Sequence, residues 1–256
     1  MGKIVFLDID GTILDSNKRI PDSTKEAVRL LKDNGVYVAI ATGRAPFMFK
    51  EIREELEIDT YIALNGQMVV VDGKPIYQYR MPISVLENLT VKSKEMGHPL
   101  VHMAVDKMVA NVEYDRNIEV AIKSLQMDHP PYDPDFYKNA EIAQVLLFCT
   151  EGEEKAYEKD FPDFRFVRWH ELAVDVIVRD GSKATGIRKT IDYLAFSIQD
   201  TYAFGDGLND MEMLKEVGTG VAMGNAHPLL KKVADKVTKS SDDNGIYYGF
   251  KSLGLI

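Results

Sequence analysis

Asp8 and Asp10 stand two residues apart at the end of an apolar run, Lys3-Ile4-Val5-Phe6-Leu7, and Gly11-Thr12 follow at once. Side chains at i and i+2 on an extended strand share a face. Two carboxylates held together repel, so at least one must be protonated or neutralised by a metal. Such a pair suits a site where one carboxylate attacks and the other moves protons. Taken alone, the run also fits a solvated turn, because Asp and Gly are ordinary turn residues. The decision rests on what the rest of the chain places beside it.

The elements that must position this pair alternate. Pro21-Asp22-Ser23 opens a helix that carries Ala27, Leu30 and Leu31 and stops at Asn34-Gly35. Val36 to Ala41 reads as a second buried strand, ending at Thr42-Gly43-Arg44; Pro46 to Leu56 is helical by period; Tyr61 to Leu64 is a third strand, ending at Asn65-Gly66. Strands separated by helices pair in parallel through crossovers. Asp72-Gly73-Lys74 between two β-rich runs signals a hairpin. From Met81-Pro82 the texture changes to helices among short strands, with a proline-rich loop over 128–135. Alternation resumes with a helix from Lys183 to Leu194, a strand from Thr201 to Phe204 and a short strand over 220–223. The simplest organisation is an α/β core with a Rossmann-like parallel sheet, residues 1–81 plus 182–256, interrupted by an inserted α+β domain, residues 82–181.

In open α/β sheets, ligands bind beyond the carboxyl ends of the strands. Those ends carry Asp8 and Asp10, Thr42-Gly43-Arg44, Asn65-Gly66, and Gly205-Asp206-Gly207-Leu208-Asn209-Asp210; Lys183 stands where the chain re-enters the core. Together they are the parts that hold a phosphoryl group beside Mg²⁺. Mg²⁺ takes oxygen ligands, and Asp8 and Asp206 can supply two of them. Thr42 and the Gly43 amide can donate to phosphate oxygens. Lys183 can neutralise charge on the transferred group. Asp8 and Asp10 fill the roles of nucleophile and acid/base.

Composition narrows the partners. A formal net charge of −9 argues against a general nucleic-acid or acidic-membrane binder. No apolar run approaches the roughly 20 residues of a membrane span, and the amino terminus runs directly into the first strand. The single cysteine, Cys149, lies in an apolar run and reads as a buried thiol. These features point to a cytoplasmic protein, a monomer or small homo-oligomer, acting on a small phosphorylated metabolite. His170 reads more simply as structural than as a substrate contact.

The runs Asp8-Ile9-Asp10-Gly11-Thr12, Thr42-Gly43-Arg44, Lys183 and Gly205-Asp206-Gly207-Leu208-Asn209-Asp210 resemble, in order and spacing, the four motifs of the haloacid dehalogenase-like phosphatase superfamily. The insertion before Lys183 is similar in position to the large cap of its Cof-type branch, and Gly220-Val221-Ala222-Met223-Gly224-Asn225-Ala226 adds to the likeness. The resemblance implies a Mg²⁺-dependent phosphomonoesterase, with sugar phosphates as first candidates and a cap that restricts access. It makes Asp8 the nucleophile and a Mg²⁺ ligand, and Asp10 the general acid/base with its carbonyl on the metal. Thr42, Gly43, Lys183 and Asn209 would hold the phosphate, and Asp206 would be a further metal ligand. Asp210 would ligate through water or stand behind the ligands. Arg44 would be a substrate or cap contact, or simply a surface residue; Asn65 would face the pocket or merely make a turn. A phosphosugar mutase using the same Asp8 and a phospho-receiver switch are the competing functions.

Overall fold

The computed structural model describes residues 2–256. The chain begins with β1 (Ile4–Leu7), α1 (Asp22–Asp33), β2 (Tyr37–Ala41), α2 (Lys50–Glu55), β3 (Tyr61–Ala63), β4 (Met68–Val71) and β5 (Lys74–Gln78). Next come α3 (Ile83–Met96), β6 (Leu100–Met103), β7 (Met108–Ala110), α4 (Arg116–Lys123), α5 (Phe136–Asn139), β8 (Gln144–Phe148), α6 (Lys155–Glu158), β9 (Phe164–His170) and β10 (Ala173–Val178). It ends with α7 (Lys183–Leu194), β11 (Thr201–Gly205), α8 (Met211–Glu216), β12 (Thr219–Ala222), α9 (Pro228–Val233), β13 (Lys236–Val237) and α10 (Gly245–Ser252). Two compact units result: residues 2–44, Met48–Tyr77 and Ser182–Ile256 make one, and Gln78–Gly181 with Ala45–Phe47 make the other.

The first unit is built on an eight-stranded sheet of order β13-β12-β11-β1-β2-β3-β4-β5. β1 is buried along its whole length and lies parallel to β2 on one side and β11 on the other, Ile4 opposite Tyr37 and Thr201. A strand with neighbours on both edges and helices on both faces has no polar face, hence its unbroken Ile-Val-Phe-Leu run. The parallel sheet expected from the alternation of elements is therefore present, with β4 antiparallel to β3 near one edge. The single helix expected over 46–56 is divided. Pro46–Phe49 is a 3-10 turn, and the α-helix begins only at Lys50. Phe49 (φ −135°) departs from helical geometry, and its buried ring packs edge-on against Tyr61 at 5.4 Å. Helix α10 is held by its packing rather than by propensity. Its Gly-Ile-Tyr-Tyr-Gly-Phe sequence is a poor helix former, but it buries Ile246 and sets Phe250 edge-on to Phe204 at 5.1 Å.

The second unit holds a five-stranded sheet of order β7-β6-β8-β10-β9, whose described strand pairs are antiparallel. Alternate residues of its strands, among them Val145, Leu147, Val174 and Val176, pack with Leu86 and Leu89 of α3 into one core. Arg168 donates to the carbonyls of Cys149, Thr150, His170 and Glu171 and pairs with Glu154 at 2.6 Å, tying the β8 and β9 ends together. Cys149 is buried beside it. His102 is wholly buried on β6, its ring 5.2 Å from that of Tyr137, and neither ring nitrogen has a hydrogen-bond partner among the described residues.

Candidate active site

β1 stops at Leu7, and the amide of Asp8 donates to Phe204 O of β11 at 3.0 Å. The chain then turns back, the Ile13 amide donating to Asp8 O. Gly11 (φ +71°) makes this turn, and a methyl group there would overlap Asp206 Oδ2, so only glycine fits. Asp206 follows directly on β11. Two neighbouring parallel strands thus deliver Asp8 and Asp206 to the same end of the sheet.

Lys183, the first residue of α7, joins them. Its ammonium is buried and donates to Asp8 Oδ1 and Asp210 Oδ1, both at 2.6 Å. Ser182 caps the helix, accepting from the Thr185 amide. Asp210 is wholly buried, and its Oδ2 accepts from the amides of Asp206 and Gly207 at 3.0 Å each. Both Asp210 oxygens are therefore engaged, Oδ1 with the Lys183 ammonium and Oδ2 with the loop after β11. Asp8, Asp206 and Asp210 each offer an oxygen, these atoms lying within 4.8 Å of one another. Burial, together with the charges of Asp210 and Asp206, pushes the Asp8 carboxyl up against the opposing pull of Lys183. Burial and the charge of Asp210 raise Asp206 to about 7. Three carboxylates share one ammonium, and the surplus negative charge on an all-oxygen donor set fits a hard divalent cation.

Asp10 does not share a face with Asp8. The strand has already ended, and the carboxylate of Asp10 is taken by different cations. Arg44, following β2, grips it with a fork: Nε donates to Oδ2 and Nη2 to Oδ1, both at 2.7 Å. Lys18 Nζ donates to Oδ1 at 2.7 Å. Burial works against ionisation, but the Arg44 contacts and then Lys18 outweigh it and take Asp10 to about 2. The repulsion expected between the two aspartates is thus resolved by separate counter-ions. Arg44 is not the surface residue that was one of its readings, since its side chain is only 9% exposed. Lys18 carried no signal in the sequence: it sits in a polar turn, where Asp15 Oδ1 accepts from the Asn17 and Arg19 amides.

Thr42 is buried and its hydroxyl accepts from the Arg44 amide at 3.1 Å, leaving its own proton to donate. Leu64, Asn65 and Gly66 are three consecutive left-handed residues (φ 53°, 52° and 89°). Leu64 N donates to Arg44 O and Asn65 N to Thr42 O, so this turn braces the loop after β2. Asn65 is buried with its amide group beside Gly43. Gly66 rests on the Ser182 carbonyl, where a methyl group would overlap it. Asn209 is half-buried next to Gly207. Asn225, not singled out as a site residue, donates to Gly11 O at 2.8 Å and Asp206 Oδ2 at 3.2 Å, and accepts from the Ser241 amide. His170 accepts from the Leu172 amide in the turn after β9.

A family model described as haloacid dehalogenase-like hydrolase matches residues 5–250. The chain belongs to the haloacid dehalogenase-like hydrolases. It is 51% identical over 254 residues to the "Putative phosphatase YkrA" of Bacillus subtilis (strain 168), covering 99% of this chain and 98% of that one. Among solved structures, BT1666 from Bacteroides thetaiotaomicron, a haloacid dehalogenase-superfamily phosphatase, matches with a TM-score of 0.93 at 31% identity, covering 100% of this chain and 96% of that one. BT4131, described as a sugar phosphatase of subclass IIB, matches with a TM-score of 0.91 at 30% identity, covering 99% and 100%. The chain is a haloacid dehalogenase-like phosphatase of the Cof type.

Proposed function

We propose that this haloacid dehalogenase-like phosphatase is a Mg²⁺-dependent phosphomonoesterase that hydrolyses small phosphorylated metabolites through a phosphoryl group carried on Asp8. The observation that carries this reading is the buried ammonium of Lys183 bridging Asp8 and Asp210, with Asp206 close by. Lys183 fixes one oxygen of Asp8 and so directs the other. Asp8, Asp206 and the carbonyl of Asp10 would hold the metal, with Asp210 behind them. When bound, Mg²⁺ offsets the repulsion between an attacking carboxylate and an anionic phosphate.

The chain's own residues do the rest. Thr42 Oγ1 and the Gly43 amide donate to the phosphate oxygens, helped by Asn209, while Asn65 and Arg44 border this loop. An Asp8 oxygen attacks phosphorus and the bond to the leaving oxygen breaks, that oxygen taking a proton from Asp10. Water then attacks the phosphoryl group, giving its proton to Asp10 and releasing Asp8 and inorganic phosphate. Asp10 as found, ionised by Arg44 and Lys18, matches the second step. To serve as acid in the first step it must give up one of these contacts. Sugar phosphates are the first substrates to test, because a relative of 30% identity is described as a sugar phosphatase.

The test is phosphate release from a panel of sugar phosphates and p-nitrophenyl phosphate, with Mg²⁺ and with chelator. Asp8→Asn is expected to abolish Mg²⁺-dependent release. Full turnover in that variant, or undiminished turnover in chelator, refutes the reading.

A further inference from the structure

Asp10 is one of the more accessible carboxylates of the site, its side chain 33% exposed, yet three cationic donors reach it. Oδ1 accepts from both Arg44 Nη2 and Lys18 Nζ, and Oδ2 accepts from Arg44 Nε. A two-point guanidinium contact fixes the plane of a carboxylate as well as its place. The fork is itself held: Arg44 Nη1 donates to Met48 O at 3.3 Å and the Arg44 carbonyl accepts from Leu64 N at 3.0 Å. Lys18 reaches Asp10 from a turn that requires a left-handed backbone at Lys18 itself (φ 58°). That conformation is costly for a non-glycine residue, and the Lys18 amide donates to Asp15 O across the same turn.

We propose that Arg44 and Lys18 are positioning residues, a cationic cradle that holds the Asp10 carboxylate where it takes the proton of the attacking water. The cradle acts on the second half-reaction, in which water oxygen bonds to phosphorus, the bond from phosphorus to Asp8 oxygen breaks and the water proton passes to Asp10. This inference rests on the roles proposed above for Asp8 and Asp10.

The test separates the two half-reactions. p-Nitrophenolate leaves without needing a proton, so phosphoryl transfer to Asp8 proceeds even where Asp10 is misplaced. In stopped-flow with Mg²⁺ and p-nitrophenyl phosphate, Arg44→Met is expected to release a burst of one p-nitrophenol per active site. Turnover then falls about 10²- to 10⁴-fold, the range for loss of a positioned acid/base. Acid-quenched protein retains phosphate, and KM does not rise. Arg44→Lys recovers part of the turnover, and Lys18→Met gives a smaller burst because it removes only one donor. Lys18→Met carries the test alone if Arg44→Met does not fold. Raised KM without a burst in Arg44→Met, or unchanged turnover in both variants, overturns the cradle. Asp10→Asn is the control: no burst there refutes the acid/base role itself, whereas a burst in Asp10→Asn and in neither cradle variant refutes the cradle alone.

Discussion

Lys183 sits in a place that water scarcely reaches, between Asp8 and Asp210. Burial opposes its charge, but the two carboxylates more than restore it and hold its proton more tightly than usual. Burial first, and then the charge of Asp210, raise Asp206 from 3.8 to about 7, against the pull of Lys183. The sign of the consequence is definite. Between those two values the folded protein holds a proton that the unfolded chain has released, so stability falls as pH rises through the window. A bound divalent cation replaces that proton. Mg²⁺ is therefore expected to raise the melting temperature more at pH 8 than at pH 5.5, and Asp206→Asn to lose most of that increment. An equal Mg²⁺ increment at both values would contradict this. Asp8, Lys183 and Asp206 were legible in the sequence because each borders a recognisable apolar run or helix start. The pairing of Asp10 with Arg44 and Lys18 was not. It joins two loops, and no periodicity marks which cation meets which carboxylate.

At the level of elements, strand ends place the site and turns brace it. The left-handed run Leu64–Gly66 bonds the loop after β2 through backbone amides and lies against the Ser182 carbonyl at the start of α7. Gly66→Ala is expected to cost about 1–2 kcal/mol in backbone strain and more from the overlap with Ser182. A lowered melting temperature together with lost turnover checks it; an unchanged melting temperature would show that the turn is slack. β1, α1 and α7 were legible because burial writes its period into their residues. The division of 46–56 was not, because the packing of Phe49 on Tyr61 is a long-range contact. Nor was α10, whose glycines and tyrosines are helical only by virtue of what they pack against.

Across the whole molecule, the two units carry different liabilities. Burial lowers His102, in the second, from 6.5 to about 4, with the charge of Asp133 opposing. Below 6.5 the unfolded chain takes a proton that the folded unit refuses. Stability is thus full above pH 6.5 and is lost as pH falls towards 4, by about 3 kcal/mol. His102→Leu is expected to flatten that part of the acid unfolding profile followed by calorimetry, and an unaltered profile would exonerate the histidine. Fold class was legible from alternation; a buried histidine with no hydrogen-bond partner among the described residues was not, since its neighbours are chosen by the fold. The order of the first unit's sheet has a further consequence, in time rather than space. β1 can pair with β2 once both are made, but its other edge must wait for β11, with Ile4 opposite Thr201. At the roughly 5–20 residues per second of a ribosome, the nascent chain spends about 10–40 s with its central strand open on one side. The residues synthesised meanwhile include the entire second unit, whose sheet is closed by contacts within its own span and can form first.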